Sequence, residues 1–193
     1  MTPESWLKLA EILVSAGGVI AAGVLASMAI HEYRSSIEER RRALRWQQAQ
    51  MARDVIAAIR QNKFSASALK MLDWEKIKYT KNESGETTLA FTKQERREML
   101  RVDDTNFEKK SEADAEFVRD CFDRLLEDLC LVYRFLINDL ILQEDIKPFF
   151  SHYMKLASSE EEAEILDRFA KKYGNEDFTE FRELISGKTK DGA

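Results

Sequence analysis

Apolar and polar positions alternate in three different ways along this chain. From Ile12 to Ile30 the stretch ILVSAGGVIAAGVLASMAI runs for nineteen residues without a charge. A helix crossing a hydrocarbon core of ~30 Å needs roughly 20 apolar residues, so this segment is predicted to be a transmembrane helix. Trp6 and Leu9 extend it at one end, and Trp6 and Tyr33 fall where aromatic belts form. A buried soluble helix would need a large surrounding core and less asymmetric flanks, and a cleaved signal peptide fits less well too. The residues before the apolar run include Glu4, Lys8 and Glu11, and the run exceeds the roughly 7–15 apolar residues of a signal core.

After residue 30 the period becomes helical and breakers almost vanish. Between Val24 and Tyr173 there is one glycine, Gly85, and one proline, Pro148, which makes long helices the default. Over residues 31–61, Ile37, Leu44 and Met51 recur every seven residues and are followed by Val55 and Ile59. The apolar helix is therefore predicted to continue as one rod, about 75 Å long from residue 12 to 61. Its first half is too polar for a buried core. It suits either a coiled-coil stalk or a helix lying on anionic head groups. Residues 64–79 read as a short packed helix, and IKYTKNESGETTLAF as a hairpin turning at Asn82–Gly85. Thr92 and Glu95 form a capping box that starts a helix over 93–101. DDTNFEKKSEAD reads as a loop ending in a second start signal, Ser111 with Asp114.

The third pattern belongs to a core. Val118, Phe122, Leu125, Leu129, Val132, Leu136 and Leu140 mark one face of a predicted helix 112–142. Its run LCLVYRFLI is apolar nearly all round, so that helix is expected to be central and covered. Pro148 opens or interrupts the next helix. EEEAEILDRFAKKYG follows Ser158 and Ser159 and stops at Gly174. Phe178, Phe181, Leu184 and Ile185 form a last amphipathic stretch. The expected class is all-α with one small β-hairpin: a transmembrane anchor over 1–33, a basic helical stalk over 34–62, a cytoplasmic helical domain over 63–186 and a loose tail over 187–193.

Within the apolar segment the small residues are not scattered. At about 100° per residue, Ser15, Gly18, Ala22, Ala26 and Ala29 share a stripe about 80° wide, with Leu13, Ile20, Val24 and Met28 opposite. Small residues at such spacing let helices approach closely in a bilayer, so this face is expected to pack copies of the chain together. Glu11 projects onto the same stripe, where it would line the mouth of a ring of copies; the simpler alternative is an exposed Lys8–Glu11 pair, which carries little energy.

Charge sharpens the orientation. Residues 31–70 hold nine basic side chains against four acidic ones, while residues 71–193 hold twenty against twenty-nine. Arg34, Arg40, Arg41, Arg42 and Arg45 follow the apolar segment, whereas Lys8 alone precedes it. A basic cluster in that position is a topology and lipid signal sooner than a nucleic-acid patch. The positive-inside rule places the N-terminus outside and the rest in the cytoplasm of a bacterial inner membrane. An acidic helical domain there is expected to meet a protein partner rather than nucleic acid.

Chemistry-bearing residues are sparse. Cys121 and Cys130 lie about 180° apart on one helix and cannot join to each other, so they read as two buried thiols. His31 and His152 are the only histidines, and neither stands in a zinc-ligand spacing or a phosphate-loop motif. No catalytic, cofactor-binding or metal residue is predicted, and no cofactor. Glu160, Glu161 and Glu162 read as a solvated helix start, where acids favour the positive end of the helix dipole. Arg134, on the core helix, is expected to be buried and matched by Asp128, Asp139 or a neighbouring helix. A ribonuclease of the HEPN class would carry an Arg four to six residues before a His, and neither histidine has one.

The stretch FVRDCFDRLLEDLCLVYRFLINDLILQEDIKPFF, together with ALKMLDW upstream, resembles a family of uncharacterised bacterial single-pass proteins with a basic stalk and a small helical domain. The shared features are the apolar helix Val118–Leu136, the acid-rich turn Gln143–Asp145 and the pair Phe149 and Phe150. Proteins of this type are similar to the membrane accessory proteins of type VI-B CRISPR systems. That resemblance implies an oligomeric membrane pore supporting antiviral defence against phage. It transfers no catalytic residue. Three functions follow: an assembling membrane effector, a scaffold that tethers a cytoplasmic partner without a pore, and, least supported, a membrane-bound ribonuclease.

Overall fold

The computed structural model describes residues 3–74, 76–80, 88–101 and 112–187, with side chains described at 24, 25, 27–74, 90–101 and 112–187. The described chain is helical apart from one hairpin. In order come α1 (Pro3–Gln61), α2 (Lys63–Asp73), β1 (Lys76–Thr80), β2 (Thr88–Thr92), α3 (Lys93–Leu100), α4 (Glu112–Ile137), α5 (Gln143–Ala157), α6 (Glu160–Tyr173) and α7 (Asp177–Ser186). Contacts divide the chain into two units, Met1–Gln47 and Gln48–Ala193. The first is a length of α1 and nothing else among the described residues. α1 runs through the end of the apolar segment without a break. Among the described residues no helix is long and apolar enough to cross a membrane; the side chains of residues 12–23 and 26 lie outside them.

The second unit takes in the last turns of α1, where Ala52 and Ile59 are buried. Residues 48–61, assigned to the stalk on sequence, therefore share the core of the helical unit. α2 follows at once because Asn62 caps it, its Oδ1 accepting from the amides of Phe64 at 3.0 Å and Ser65 at 3.3 Å. Ser65 then donates its hydroxyl proton to Asp128 Oδ2 at 2.6 Å, which pins α2 along α4.

The hairpin forms where expected, antiparallel, with Lys76 opposite Thr92 and Thr80 opposite Thr88. Its turn lies outside the described residues, as do most of the segment DDTNFEKKSEAD and the end of the tail. β2 feeds straight into α3 through the capping box. The Glu95 amide donates to Thr92 Oγ1 at 3.3 Å and the Thr92 amide to Glu95 Oε2 at 2.7 Å.

α4 is the central element, packed by α2, α3, α6 and α7. Val118, Phe122, Leu125, Leu129 and Val132 of its predicted face are buried, and Cys121, Leu126 and Cys130 join them. Two positions differ: Leu136 is half-buried and Leu140 is exposed. The helix stops at Ile137 because Asp139 takes φ 55°, a left-handed conformation that Asp tolerates better than most side chains. The Leu140 amide donates to the Phe135 carbonyl at 2.9 Å and that of Asp139 to Leu136 at 3.1 Å, a Schellman closure. The chain turns, and Ile141 is buried where Leu140 was expected. Leu131 and Ile137 are exposed, so the end of α4 is not covered on every side.

Pro148 neither opens nor interrupts a helix. It is the sixth residue of α5, which passes through it, although an interior proline forgoes a backbone hydrogen bond. α6 ends where predicted. Gly174 sits at φ 76° and the Asn175 amide donates to the Ala170 carbonyl at 2.8 Å. In α7, Phe178, Phe181 and Ile185 are buried while Leu184 is exposed.

Both thiols lie in this core. Burial, with Asp120 beside it, pushes Cys121 from an ordinary 9.0 up to about 12; burial, with Asp177 near, pushes Cys130 up to about 11. Raised values in the folded state mean that this contribution to stability is complete below pH 9 and declines as pH climbs toward 11 and 12. Iodoacetamide at pH 8 is expected to leave both cysteines unmodified in the native protein. The rate of alkylation should rise in step with global unfolding across a urea titration.

Candidate functional site

The features expected to carry function sit on α1. The backbone of Glu11, Ser15, Gly18, Ala22 and Ala26 is helical, and their side chains lie outside the described residues; Ala29 is exposed. Just beyond, Val24, Leu25, Met28 and Ile30 are 53%, 67%, 64% and 54% exposed. At about 100° per residue Val24, Leu25 and Met28 share an arc of about 100°, and Ile30 lies at least about 120° from either edge of it, so no single neighbouring element of the chain could cover all four. Arg34, Arg40, Arg41 and Arg42 are exposed and Arg45 is half-buried. Arg42 reaches Glu38 one turn back at 3.6 Å, a surface pair of little energetic weight. Among the described residues no carboxylate pairs with Arg34, Arg40 or Arg41.

A second constellation, in the helical unit, was not expected. Arg96 of α3 and Glu162 of α6 are both buried and ion-paired. The two ends of the Arg96 guanidinium donate to the Met71 carbonyl and to Glu162 Oε1, and its centre stands 5.7 Å from the centroid of the Phe122 ring. One side chain thus touches α2, α4 and α6. Arg97 Nε donates to the same Glu162 oxygen and its Nη1 to Glu161. Partial burial of Arg97 opposes its charge, but bonding to Glu162 and Glu161 outweighs this and its pKa is raised. Glu162 Oε2 is buried with no partner among the described residues.

Of the acid-rich start of α6, then, Glu160 and Glu161 are solvated and Glu162 is not. The signal was present in the spacing. Glu162 stands three, four and seven residues before Ile165, Leu166 and Phe169, all buried, so it projects onto the apolar face. Arg96 stands likewise before Met99 and Leu100. Arg134 is matched by a neighbouring helix as expected, its Nε donating to Asp177 Oδ2 on α7 at 2.9 Å, but it is exposed where burial was expected.

The remaining polar contacts tie helices together. His152 Nε2 lies 2.7 Å from Asp73 Oδ1, joining α5 to the end of α2. The buried Asn175 donates through Nδ2 to Asp123 Oδ1 at 3.0 Å, while Cys130 reaches the Asn175 carbonyl at 3.6 Å. Partial burial and the nearby Glu127 raise the pKa of Asp123 against that hydrogen bond. Among the described residues no three His, Cys, Asp or Glu side chains are grouped to hold a metal ion.

No protein-family model, curated protein or solved structure matches this chain.

A buried pair that loses one partner leaves an uncompensated charge, at about 3–5 kcal/mol. Glu162→Gln is expected to destabilise the helical unit by about that amount in urea denaturation. Replacing both ends, Arg96→Met with Glu162→Leu, should cost less than the two single changes added. Additive costs would show that the two side chains do not depend on one another.

Proposed function

We propose that this protein is a membrane-anchored assembly protein. Residues 12–30 lie in a bilayer, copies pack through the Ser15, Gly18, Ala22, Ala26 and Ala29 face, and the acidic helical unit is offered to a protein partner in the cytoplasm. The observation that carries this reading is the exposure of Val24, Leu25 and Met28 on one side of α1 and of Ile30 on another. Burial of an aliphatic side chain is worth about 1.5–3 kcal/mol. A lone chain in water forgoes that at four neighbouring positions, and lipid or other copies would recover it. The uncharged length of the segment and the arginines that follow it support the same placement and an outside N-terminus.

Two versions share this anchor. In one, assembly opens a path through the membrane during antiphage defence, with Glu11 at its outer mouth, as the resemblance to accessory proteins of type VI-B CRISPR systems implies. In the other, the anchor only tethers a cytoplasmic complex. No Arg–His spacing supports a ribonuclease.

The protein is expected to stay with membranes through an alkaline carbonate wash and to run in mild detergent as a multimer. Gly18→Leu combined with Ala22→Leu should lower that size. An unchanged size would remove the small-residue face from the assembly. Ion flux through reconstituted vesicles separates the two versions: a pore conducts and responds to Glu11→Gln, whereas a tether does neither.

A further inference from the structure

Sequence leaves the polar half of α1 with two possible neighbours, other copies or anionic head groups. We infer that the face bearing Ile30, Tyr33, Ile37 and Leu44 rests against the head-group layer of an anionic bilayer, with Arg34, Arg40 and Arg41 held on lipid phosphates. This rests on the anchored reading above and names the lipid chemistry it requires.

The layout of the helix carries the inference. At about 100° per residue the four apolar side chains fall within an arc of about 60°. Tyr33 and Leu44 are 69% and 56% exposed, and Ile37 is half-buried. Arg40 lies about 20° beyond one edge of this arc, Arg41 about 20° beyond the other and Arg34 about 20° further on. The three acids of this stretch, Glu32, Glu38 and Glu39, are all at least about 80° from either edge. Arg42 turns to that acidic side, where it meets Glu38. Trp46 is exposed there too and takes no part. An apolar strip edged by cations, with acids behind it, is the distribution of a helix at a charged lipid surface.

Position along the axis agrees. Helical side chains lean toward the N-terminus, which for residues following an anchor is toward the bilayer. Arg34 is about 6 Å past Ile30 along the axis, and Arg40 and Arg41 about 15 and 17 Å. A tilted anchor leaning on this face brings all three long side chains back to the phosphates.

A second copy on the same face fits less well. Anchored copies lie parallel, so a seam built on Ile30, Ile37 and Leu44 brings Tyr33, Arg40 and Gln47 to its other core position. Every copy then contributes Arg40 to the seam and Arg41 to its edge, while the glutamates that would neutralise them face away.

The test uses the full chain, whose two cysteines are buried, carrying a fluorophore at either Leu44→Cys or Ala43→Cys. Each is reconstituted in phosphatidylcholine vesicles with or without phosphatidylglycerol and titrated with the uncharged quencher acrylamide. We expect position 44 to be quenched several-fold less than position 43 in the anionic vesicles. That difference should vanish in pure phosphatidylcholine, and in Arg34→Gln, Arg40→Gln, Arg41→Gln protein. Equal quenching everywhere, in protein that still resists carbonate, overturns the lipid contact and leaves the anchor standing. Shielding that persists without anionic lipid or arginines, with disulfides forming between copies at position 44, assigns the face to a second copy and overturns it as well. Release of the protein by carbonate removes the anchor, and this contact with it.

Discussion

The helical unit turns on a guanidinium taken out of water. Arg96 brings a charge into the space between four helices, where an unmatched ion would be several kcal/mol uphill. It is tolerated because the Met71 carbonyl, the Glu162 carboxylate and the Phe122 ring are held at the places its planar fork can reach together. A lysine has no such fork. Glu162 in turn accepts from Arg97 as well as Arg96, so the negative partner is shared by successive residues of one short helix. β2 leads directly into the helix that carries both arginines through the Thr92 cap.

Around that point the architecture is ordinary helical packing organised by α4. Its buried face meets four other helices, and polar links join the elements, two of them through the buried Ser65 and Asn175: Ser65 to Asp128, Asp73 to His152, Asn175 to Asp123 and Arg134 to Asp177. None of these links groups side chains into a reaction centre. They tie α2, α4, α5 and α7 to one another.

What could be read from sequence was whatever depends on near neighbours. The apolar face of α4 from Val118 to Val132, the Thr92–Glu95 box and the Gly174 stop all follow from spacing within one element. What escaped depends on partners far along the chain or on a conformation that composition does not announce. Glu162 looked solvated because two neighbouring acids are; its burial is decided by Arg96, 66 residues away. Leu140 continued a helical period but lies past a left-handed aspartate. Arg134 was expected inside because its neighbours are apolar, although its own side of α4 faces outward. On α1 the apolar segment and the arginines were legible at once. Their division into a strip, two basic flanks and an acidic back follows from angular position alone; the structure adds that Tyr33 and Leu44 of the strip are uncovered.

The separation between Arg96 and Glu162 also bears on synthesis. A ribosome adding about 5–20 residues per second releases α3 several seconds before the carboxylate that will neutralise it. Until then a nascent chain keeps that arginine solvated, and α6 must arrive before it can be buried against its carboxylate. A chain cut short before that helix would therefore lack more than its missing residues: the part already made would have nowhere to put a charge.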